Sequence, residues 1–275
     1  MDESGLEVPR KQHLISKSLL RRFAQPDGNL SARDLRYERR AALKHVSSVC
    51  WRLDFVAHLP NQAERLWETV ESQLRGALTA IENDELTGRD EGVLKQTIAL
   101  HFFRRDATKL AFEASLANSL DQRAGRFAVA IPQGVDPGTV EDRLRKQAAE
   151  SAAEWFQERI ESLFKRATEL VSTAGLELLT AVEGEFLIGD QAVLSLTADG
   201  GFGKLPFTTA ATHLLPVGRH HAIALASTSG RVLLNQEWVN HLNRAQMEES
   251  ASHVFYHPAS GLDDFVASVR AQELR

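Results

Sequence analysis

The feature that most constrains the fold is a long run of apolar residues spaced for an α-helix. Apolar side chains recur every three or four residues from Leu144 to Ala174, and they include Trp155, Phe156 and Leu163. The spacing predicts one continuous amphipathic helix over residues 141–174. At 1.5 Å per residue it is about 50 Å long, which exceeds the diameter of a small domain. It must either span the molecule, with those three side chains buried, or meet another protein or a second copy of the chain.

Weaker patterns surround this helix. Residues 61–81 and about 91–120 also have the helical spacing, and Asn61 is the expected cap of the first of them. Beyond residue 175, short apolar runs alternate with glycine-rich turns, which is typical of antiparallel strands. The predicted strands are 185–188, 192–196, 213–217, 222–226 and 232–234. Two further helices are predicted near 238–247 and 262–273.

These elements predict an α+β protein, in which long amphipathic helices pack against a C-terminal, mainly antiparallel sheet. The chain has 275 residues and 43% hydrophobic residues, enough for one large core. We expect a single domain over residues 1–275. Within it, residues 1–9 form a tail, residues 10–175 are mainly helical, and residues 176–275 are rich in strands and end in helices.

Composition excludes several classes of protein. Cys50 is the one cysteine, so no internal disulfide can form, and the acidic N-terminus lacks the apolar run of a secretory signal. No apolar run reaches the roughly 20 residues that a membrane helix needs. We therefore expect a soluble protein of the reducing cytoplasm with no membrane partner.

The charge is distributed unevenly. Between Arg10 and Lys44 there are ten Lys or Arg and three acids, a local charge of +7, although the whole chain carries −5. Lys17, Arg21 and Arg22 lie on a short amphipathic helix that Ser16 is expected to cap. This segment is a candidate contact for nucleic acid or another polyanion. The alternative is an ordinary solvated surface, on which the long side chains also cover apolar groups.

Several segments, taken in order, are similar to those of a bacterial family called domain of unknown function 4238. They are residues 13–23, 64–81, 98–104, 186–193 and 240–254. The opening resembles the family's His-aromatic-x-Pro-x-x-x-Leu-x-x-Phe signature, with Leu14 and Ser16 replacing the aromatic residue and the proline. His101 stands where the family has the glutamine of Gln-x-x-Arg. The resemblance implies a shared fold and supplies no reaction, cofactor or catalytic residue.

Three residues within these segments are candidates for chemistry. His13 suits a general base or metal ligand, or it pins the N-terminal turn. Arg104 suits an anion clamp, or it forms a buried pair with Glu68 or Glu71. Asp190, at an expected strand end, suits an orienting carboxylate or cation ligand, or it bonds its own backbone in an Asx-turn. We predict that His13, Arg104 and Asp190 line one cleft.

Two hypotheses of function follow. The first is a nuclease-like or other phosphodiester-acting effector, with His13, Arg104 and Asp190 catalytic and Lys17, Arg21 and Arg22 on the phosphates. The second is a non-enzymatic binding module that docks a protein partner or a second copy through the helix at 141–174. The sequence identifies no metal and no cofactor, and it leaves open whether the protein is an enzyme.

Overall fold

The computed structural model describes residues 11–53, 55–56, 62–127 and 137–273. The predicted tail and the predicted cap at Asn61 lie outside these ranges. So do residues 131–134, where Pro132 and Gly134 predict a loop. The helices are α1 (Lys17–Leu20), α2 (Gln62–Glu82), α3 (Gly88–Phe103), α4 (Asp106–Phe127), α5 (Pro137–Ser172), α6 (Gln236–Glu249) and α7 (Leu262–Glu273). The strands are β1 (Lys11–His13), β2 (Asn29–Asp34), β3 (Ala42–His45), β4 (Trp51–Leu53), β5 (Gly175–Ala181), β6 (Ile188–Gly189), β7 (Leu194–Leu196), β8 (Thr212–Pro216), β9 (His221–Ala226), β10 (Gly230–Leu234) and β11 (His253–Tyr256).

Three sheets are present in the described part of the chain, and the predicted α+β class is confirmed. A mixed sheet has the order β10-β5-β9-β8-β7, in which β10 and β5 are parallel and the other neighbours are antiparallel. A second sheet, antiparallel throughout, has the order β3-β2-β11-β6. β1 and β4 form a short antiparallel pair. Helix α3 packs between α2 and α5 and also contacts β8 and β9.

Helix α5 is continuous over 36 residues, as the sequence predicts. Phe156 is buried against the rings of Phe55 and Phe112, with ring centroids 5.6 and 5.3 Å away, and Leu163 is half-buried. Trp155 does not pack within the chain, because its side chain is 41% exposed. For this residue only the second predicted alternative, contact with another protein or a second copy, stays a prediction. Successive helical residues point about 100° apart, so burying Phe156 turns Trp155 towards solvent. The side chains of Leu144 and Ala148 lie outside the described set.

The predicted helix at 91–120 is two helices, because the chain breaks between Phe103 and Asp106. Thr87 and Asp90 form a capping box at the start of α3, each side chain accepting the other residue's backbone N–H. At the other end Arg104 leaves the helical conformation, with φ −88° and ψ 44°, and its side chain turns into the protein. The apolar pattern continues through the break, so the sequence alone does not reveal it.

The N-terminal segment contributes strands that join the C-terminal part of the chain. β2 pairs with β11 in the register His253 opposite Asp34. Buried Arg33 on β2 donates to the Asp263 carboxylate of α7 at 2.8 Å, and that carboxylate also accepts the Tyr256 hydroxyl at 2.7 Å. The two parts predicted from the sequence, 10–175 and 176–275, therefore share a sheet.

Candidate functional site

Two of the predicted site residues, His13 and Arg104, adjoin a buried hydrogen-bond network that fixes the N-terminal segment onto α2 and α3. The backbone N–H of Ser16 donates to Nε2 of His101 at 3.1 Å. Nδ1 of His101 donates to the carbonyl of Thr97 at 2.9 Å. One ring nitrogen must accept and the other must donate, so His101 is neutral in this arrangement. Burial, and secondarily the charge of Arg104, lowers the pKa of His101 to about 4.

Glu71 is the acid of this network. Its Oε1 accepts the Ser16 hydroxyl and, at 2.7 Å, Nη1 of Arg104, whose guanidinium lies 5.2 Å from the Trp67 ring centroid. Burial alone would raise the pKa of Glu71, but Arg104 and Ser16 together lower it. The Arg104–Glu71 pair is one of the two pairings that the sequence left open. Ser16 stands at the N-cap of α1 but makes no side-chain cap, because its hydroxyl is used by Glu71.

His13 lies beside this network. Its Nε2 is buried and has no hydrogen-bond partner. Burial, followed by the positive charge of Lys17, lowers the pKa of His13 to about 4, and the charge of Arg104 acts in the same direction. The imidazole is thus neutral at physiological pH, and it is close enough to Arg104 for the arginine's charge to disfavour its protonation.

Asp190 has a different environment. Its carboxylate accepts the backbone N–H groups of Ala251, Ser252 and His253 at 2.7, 2.8 and 2.9 Å, and the Ser252 hydroxyl at 2.8 Å. The Asx-turn interpretation is therefore wrong, because the N–H groups belong to a segment some sixty residues further along the chain. Asp190 fixes the start of β11 and with it the position of His253.

Asp190 also lines a cleft of about 650 Å³ between the β2–β3 hairpin, β4 and the start of β11, which we call the hairpin cleft. Neither His13 nor Arg104 is among its lining residues, although their neighbour Leu14 is. The polar, titratable and aromatic residues around it are Asp34, Tyr37, Arg39, Arg40, Lys44, Ser48, Cys50, Trp51, Asp106, Asp190, Ser252, His253 and Phe255. Of these, sequence analysis singled out Asp190 for chemistry.

The acids of the hairpin cleft are already satisfied by the protein. Arg36 grips both carboxylate oxygens of Asp34 at 2.9 and 2.7 Å, and these hydrogen bonds lower the pKa of Asp34 to about 2. Arg52 pairs with Asp106, and Asp190 is held by backbone N–H groups. The charges of Asp34 and Asp106 are therefore compensated by arginines, and the oxygens of Asp190 are occupied by hydrogen bonds although its charge remains.

The cations of the hairpin cleft are not compensated in this way. Arg39, Arg40 and Lys44 are exposed, and no ion pair joins any of them to an acid within the described ranges. Two aromatic rings stand beside them: Tyr37, 58% exposed, and Trp51, 40% exposed. The combination gives the cleft a positive rim beside two exposed rings. Lys11 lies 4.2 Å from the Trp51 ring centroid, and Arg39 lies 5.8 Å from the Tyr37 ring centroid.

His253 is the titratable group best placed for proton transfer in the hairpin cleft. Its Nδ1 lies 2.7 Å from the Ser252 hydroxyl oxygen, and its Nε2 lies 3.6 Å from Oδ2 of Asp34. Both ring nitrogens therefore face oxygens, which fixes the ring orientation. The side chain remains 35% exposed, so a ligand in the cleft can reach it.

Cys50 forms part of the wall in an unusual backbone conformation. Its φ is +50°, which is uncommon for a residue with a side chain, and its carbonyl accepts the Leu14 N–H at 2.7 Å. Burial raises the pKa of the Cys50 thiol, and the nearby carboxylates of Asp190 and Asp106 raise it further. The thiol is therefore protonated at neutral pH and is a poor nucleophile.

The predicted phosphate contacts lie elsewhere. Lys17 and Arg21 are exposed, while Arg22 pairs with Glu82 at the end of α2, and none of the three lines the hairpin cleft. The positive charge of residues 10–44 comes from both sets of cations, the predicted contacts on α1 and its end and the set Arg39, Arg40 and Lys44 of the cleft. The sequence pattern did not show that β2 pairs with β11, and this pairing places the hairpin beside His253.

Two absences concern only the described ranges. There, no three His, Cys, Asp or Glu side chains are grouped so as to hold a metal ion. In the same ranges, none of the helices combines the length and the apolar character needed to cross a bilayer.

The fold and the hairpin cleft define an α+β protein with a cation-rimmed cleft formed by distant parts of the chain. The chain belongs to the family described as "Protein of unknown function (DUF4238)", whose model matches residues 11–260. The resemblance inferred from the sequence is thereby confirmed. Neither the curated proteins nor the solved structures contain a match to this chain.

Proposed function

We propose that this protein binds phosphodiester ligands, single-stranded nucleic acid above all, in the hairpin cleft. The observation that carries the proposal is the uncompensated triad Arg39, Arg40 and Lys44 beside the exposed rings of Tyr37 and Trp51. Proteins that bind single strands combine cations for the backbone with aromatic rings for the bases. A reducing compartment such as the cytoplasm, proposed from the single cysteine, is a setting in which such ligands occur.

The charges favour an anion although acids are present. Asp34 and Asp106 are each paired with an arginine, so they do not offset the triad. Asp190, held by backbone N–H groups, keeps one negative charge against the three positive charges of the triad. Lys11 lies 4.2 Å from the Trp51 ring centroid and adds a further positive charge beside that ring. A phosphate entering the cleft therefore meets a net positive wall.

The hydrolytic form of the proposal assigns His253 as the proton-transfer group. A water molecule would attack phosphorus, His253 would take its proton, and the leaving oxygen would depart after accepting a proton from solvent. The contacts of His253 with Ser252 and Asp34 support this role, since they orient the ring. The earlier assignment of His13 as base and Arg104 as clamp also stays a proposal, and it requires a ligand that reaches beyond Leu14 into the buried network.

The test is fluorescence anisotropy with an end-labelled ten-nucleotide single strand, measured over a range of salt concentrations. The triple variant Arg39→Gln, Arg40→Gln, Lys44→Gln should weaken binding and reduce the slope of log affinity against log salt by about 2, since each phosphate contact contributes about 0.7. The matched control is Lys17→Gln, Arg21→Gln, Arg22→Gln, which removes the same charge at the other predicted contact. If only the control variant weakens binding, the cleft assignment is wrong.

Stacking and chemistry need separate variants. Tyr37→Ser should weaken binding without changing the salt slope, because it removes a ring and no charge. His253→Gln should abolish cleavage of the oligonucleotide while leaving its affinity nearly intact. If the wild-type protein binds but does not cleave under any metal condition tried, the non-enzymatic hypothesis is the one retained.

A second candidate function, docking through α5, is favoured by the exposure of Trp155 and Leu170, at 41% and 47%. They are fifteen residues apart, so they lie on similar sides of the helix about 22 Å from each other. Sedimentation velocity of the wild-type protein and of the Trp155→Ser, Leu170→Ser variant tests self-association. A concentration-independent monomer for both would exclude the homo-oligomer form of this proposal.

A further inference from the structure

A second cavity, of about 520 Å³, lies between the first turns of α4, the middle of α5 and the segment Lys204–Pro206. We call it the α4–α5 groove. Its floor is aromatic and aliphatic: Phe102, Phe103, Phe112, Phe156 and Ile160 line it, together with Leu205. Its residues are distinct from those of the hairpin cleft. The size falls within the range of small-molecule sites, which are mostly apolar with a few placed polar groups.

The charged side chains that line this groove are all cationic. Arg105, Arg159 and Lys204 line it, and none of the three forms an ion pair with an acid in the described ranges. Arg159 and Lys204 are exposed at the rim. An apolar floor under several unpaired cations is complementary to a molecule with an apolar body and an anionic head.

Arg105 is the residue that most needs an anion. Its guanidinium lies 3.9 Å from the Phe102 ring centroid, and its buried Nε has no hydrogen-bond partner. Burial lowers the pKa of Arg105 to about 10, and the charge of Glu249 opposes the shift. The side chain is still protonated at neutral pH, so a buried N–H donor and a charge are both left uncompensated.

From these contacts we infer that the α4–α5 groove binds an amphipathic carboxylate, with its acyl or aryl body on the phenylalanines and its carboxylate on Arg105. A carboxylate accepts hydrogen bonds from a guanidinium and pairs with its charge, and the half-buried Arg105 side chain lines the groove beside the phenylalanines. Arg159 and Lys204 add long-range attraction at the entrance. The site is independent of the nucleic-acid proposal.

The experiment is isothermal titration of the full chain with decanoate, 1-decanol and acetate. Decanoate should bind with a dissociation constant below about 1 mM, and acetate, which lacks the apolar body, should not bind measurably. Arg105→Gln should weaken decanoate at least about tenfold, because a charge-assisted contact is lost, and should leave 1-decanol unchanged. Phe112→Asp should abolish the binding of both ligands.

Two further variants make the result decisive. If Arg105→Gln does not fold, judged by its thermal unfolding, the rim variant Arg159→Gln, Lys204→Gln takes its place and should weaken decanoate but not 1-decanol. The Arg39→Gln, Arg40→Gln, Lys44→Gln variant should bind decanoate as the wild type does, which separates this groove from the hairpin cleft. The inference would be overturned if the wild type did not bind decanoate. It would also be overturned if Arg105→Gln, or the rim variant that replaces it, bound decanoate with the affinity of the wild type.

Discussion

Replacing His101 by glutamine should make the protein less sensitive to acid. In the folded chain the imidazole accepts the Ser16 N–H on Nε2 and donates from Nδ1 to the Thr97 carbonyl, so protonation would break the first bond and bury a charge. Glutamine offers one acceptor and one donor group and does not titrate. The resemblance to the family, in which glutamine stands at this position, suggests that the site accommodates it.

The magnitude follows from the pKa of His101, which falls from 6.5 to about 4 on folding. The unfolded chain takes up this proton at the higher pH, so the stabilisation is complete above pH 6.5 and is lost as the pH falls from 6.5 to about 4. The difference of about 2.5 between the two pKa values corresponds to about 3 kcal/mol in total, of which about 2 kcal/mol is already lost at pH 5.

The assay is urea unfolding at a series of pH values from 7.5 to 4.5, for wild type and for His101→Gln. Other groups titrate alike in both proteins, so the difference between the two curves isolates His101. As the pH falls, the wild type should lose more unfolding free energy than the variant. The difference in unfolding free energy, wild type minus variant, should fall by about 2 kcal/mol between pH 7.5 and pH 5. His241→Gln, which removes an exposed imidazole, is the matched control for the loss of a histidine.

A difference that stays constant within about 0.5 kcal/mol across this range would refute the reasoning. It would mean either that His101 is charged in the folded protein or that solvent reaches it. Both outcomes contradict its burial and its two hydrogen bonds.

Three further outcomes are expected. Glu71→Leu should cost about 3 kcal/mol in unfolding free energy because Arg104 is left buried without its partner, and the Glu71→Leu, Arg104→Met double variant should cost clearly less than the sum of the single variants in a denaturation cycle. Trp155→Ala should cost about 1 kcal/mol or less and Phe156→Ala about 3 to 5 kcal/mol in the same assay, and equal costs would contradict the orientation of α5. The Cys50 thiol should react with an aromatic disulfide reagent at pH 7.5 at least about tenfold more slowly in the folded than in the unfolded protein, with equal rates counting against the raised pKa.

Periodic helices were the predictable part of this fold. α2 and α5 have apolar spacing that survives into the structure, since one face of each packs on the core. β5 was missed because it is buried on both faces, so its sequence GLELLTA lacks the alternation of a half-exposed strand. β2 was missed for another reason: Arg33 is buried there by pairing with Asp263, so a core position has the most polar of side chains.

The sequence predicted that the candidate site is basic, but it did not predict where in the fold the site lies. The surplus of Lys and Arg in residues 10–44 indicated a basic surface, yet it did not distinguish Lys17 and Arg21 from Arg39 and Arg40. That distinction depends on which strand β2 pairs with, a non-local choice that local pattern does not encode. His253 carried no signal of its own, because its partners Ser252 and Asp34 matter only once β2 and β11 are adjacent.

The pairing of β2 with β11 bears on how the protein is made. His253 and Asp34 stand opposite each other with most of the chain between them, so ribosomal synthesis delivers the basic hairpin long before the strand that supports it. Closing so large a loop is entropically costly and favours late formation of this sheet. A chain cut short before His253 would display the cations of the hairpin with no cleft behind them. Any anion-binding activity in the hairpin cleft is therefore expected to appear only after β11 has been synthesised and has paired with β2.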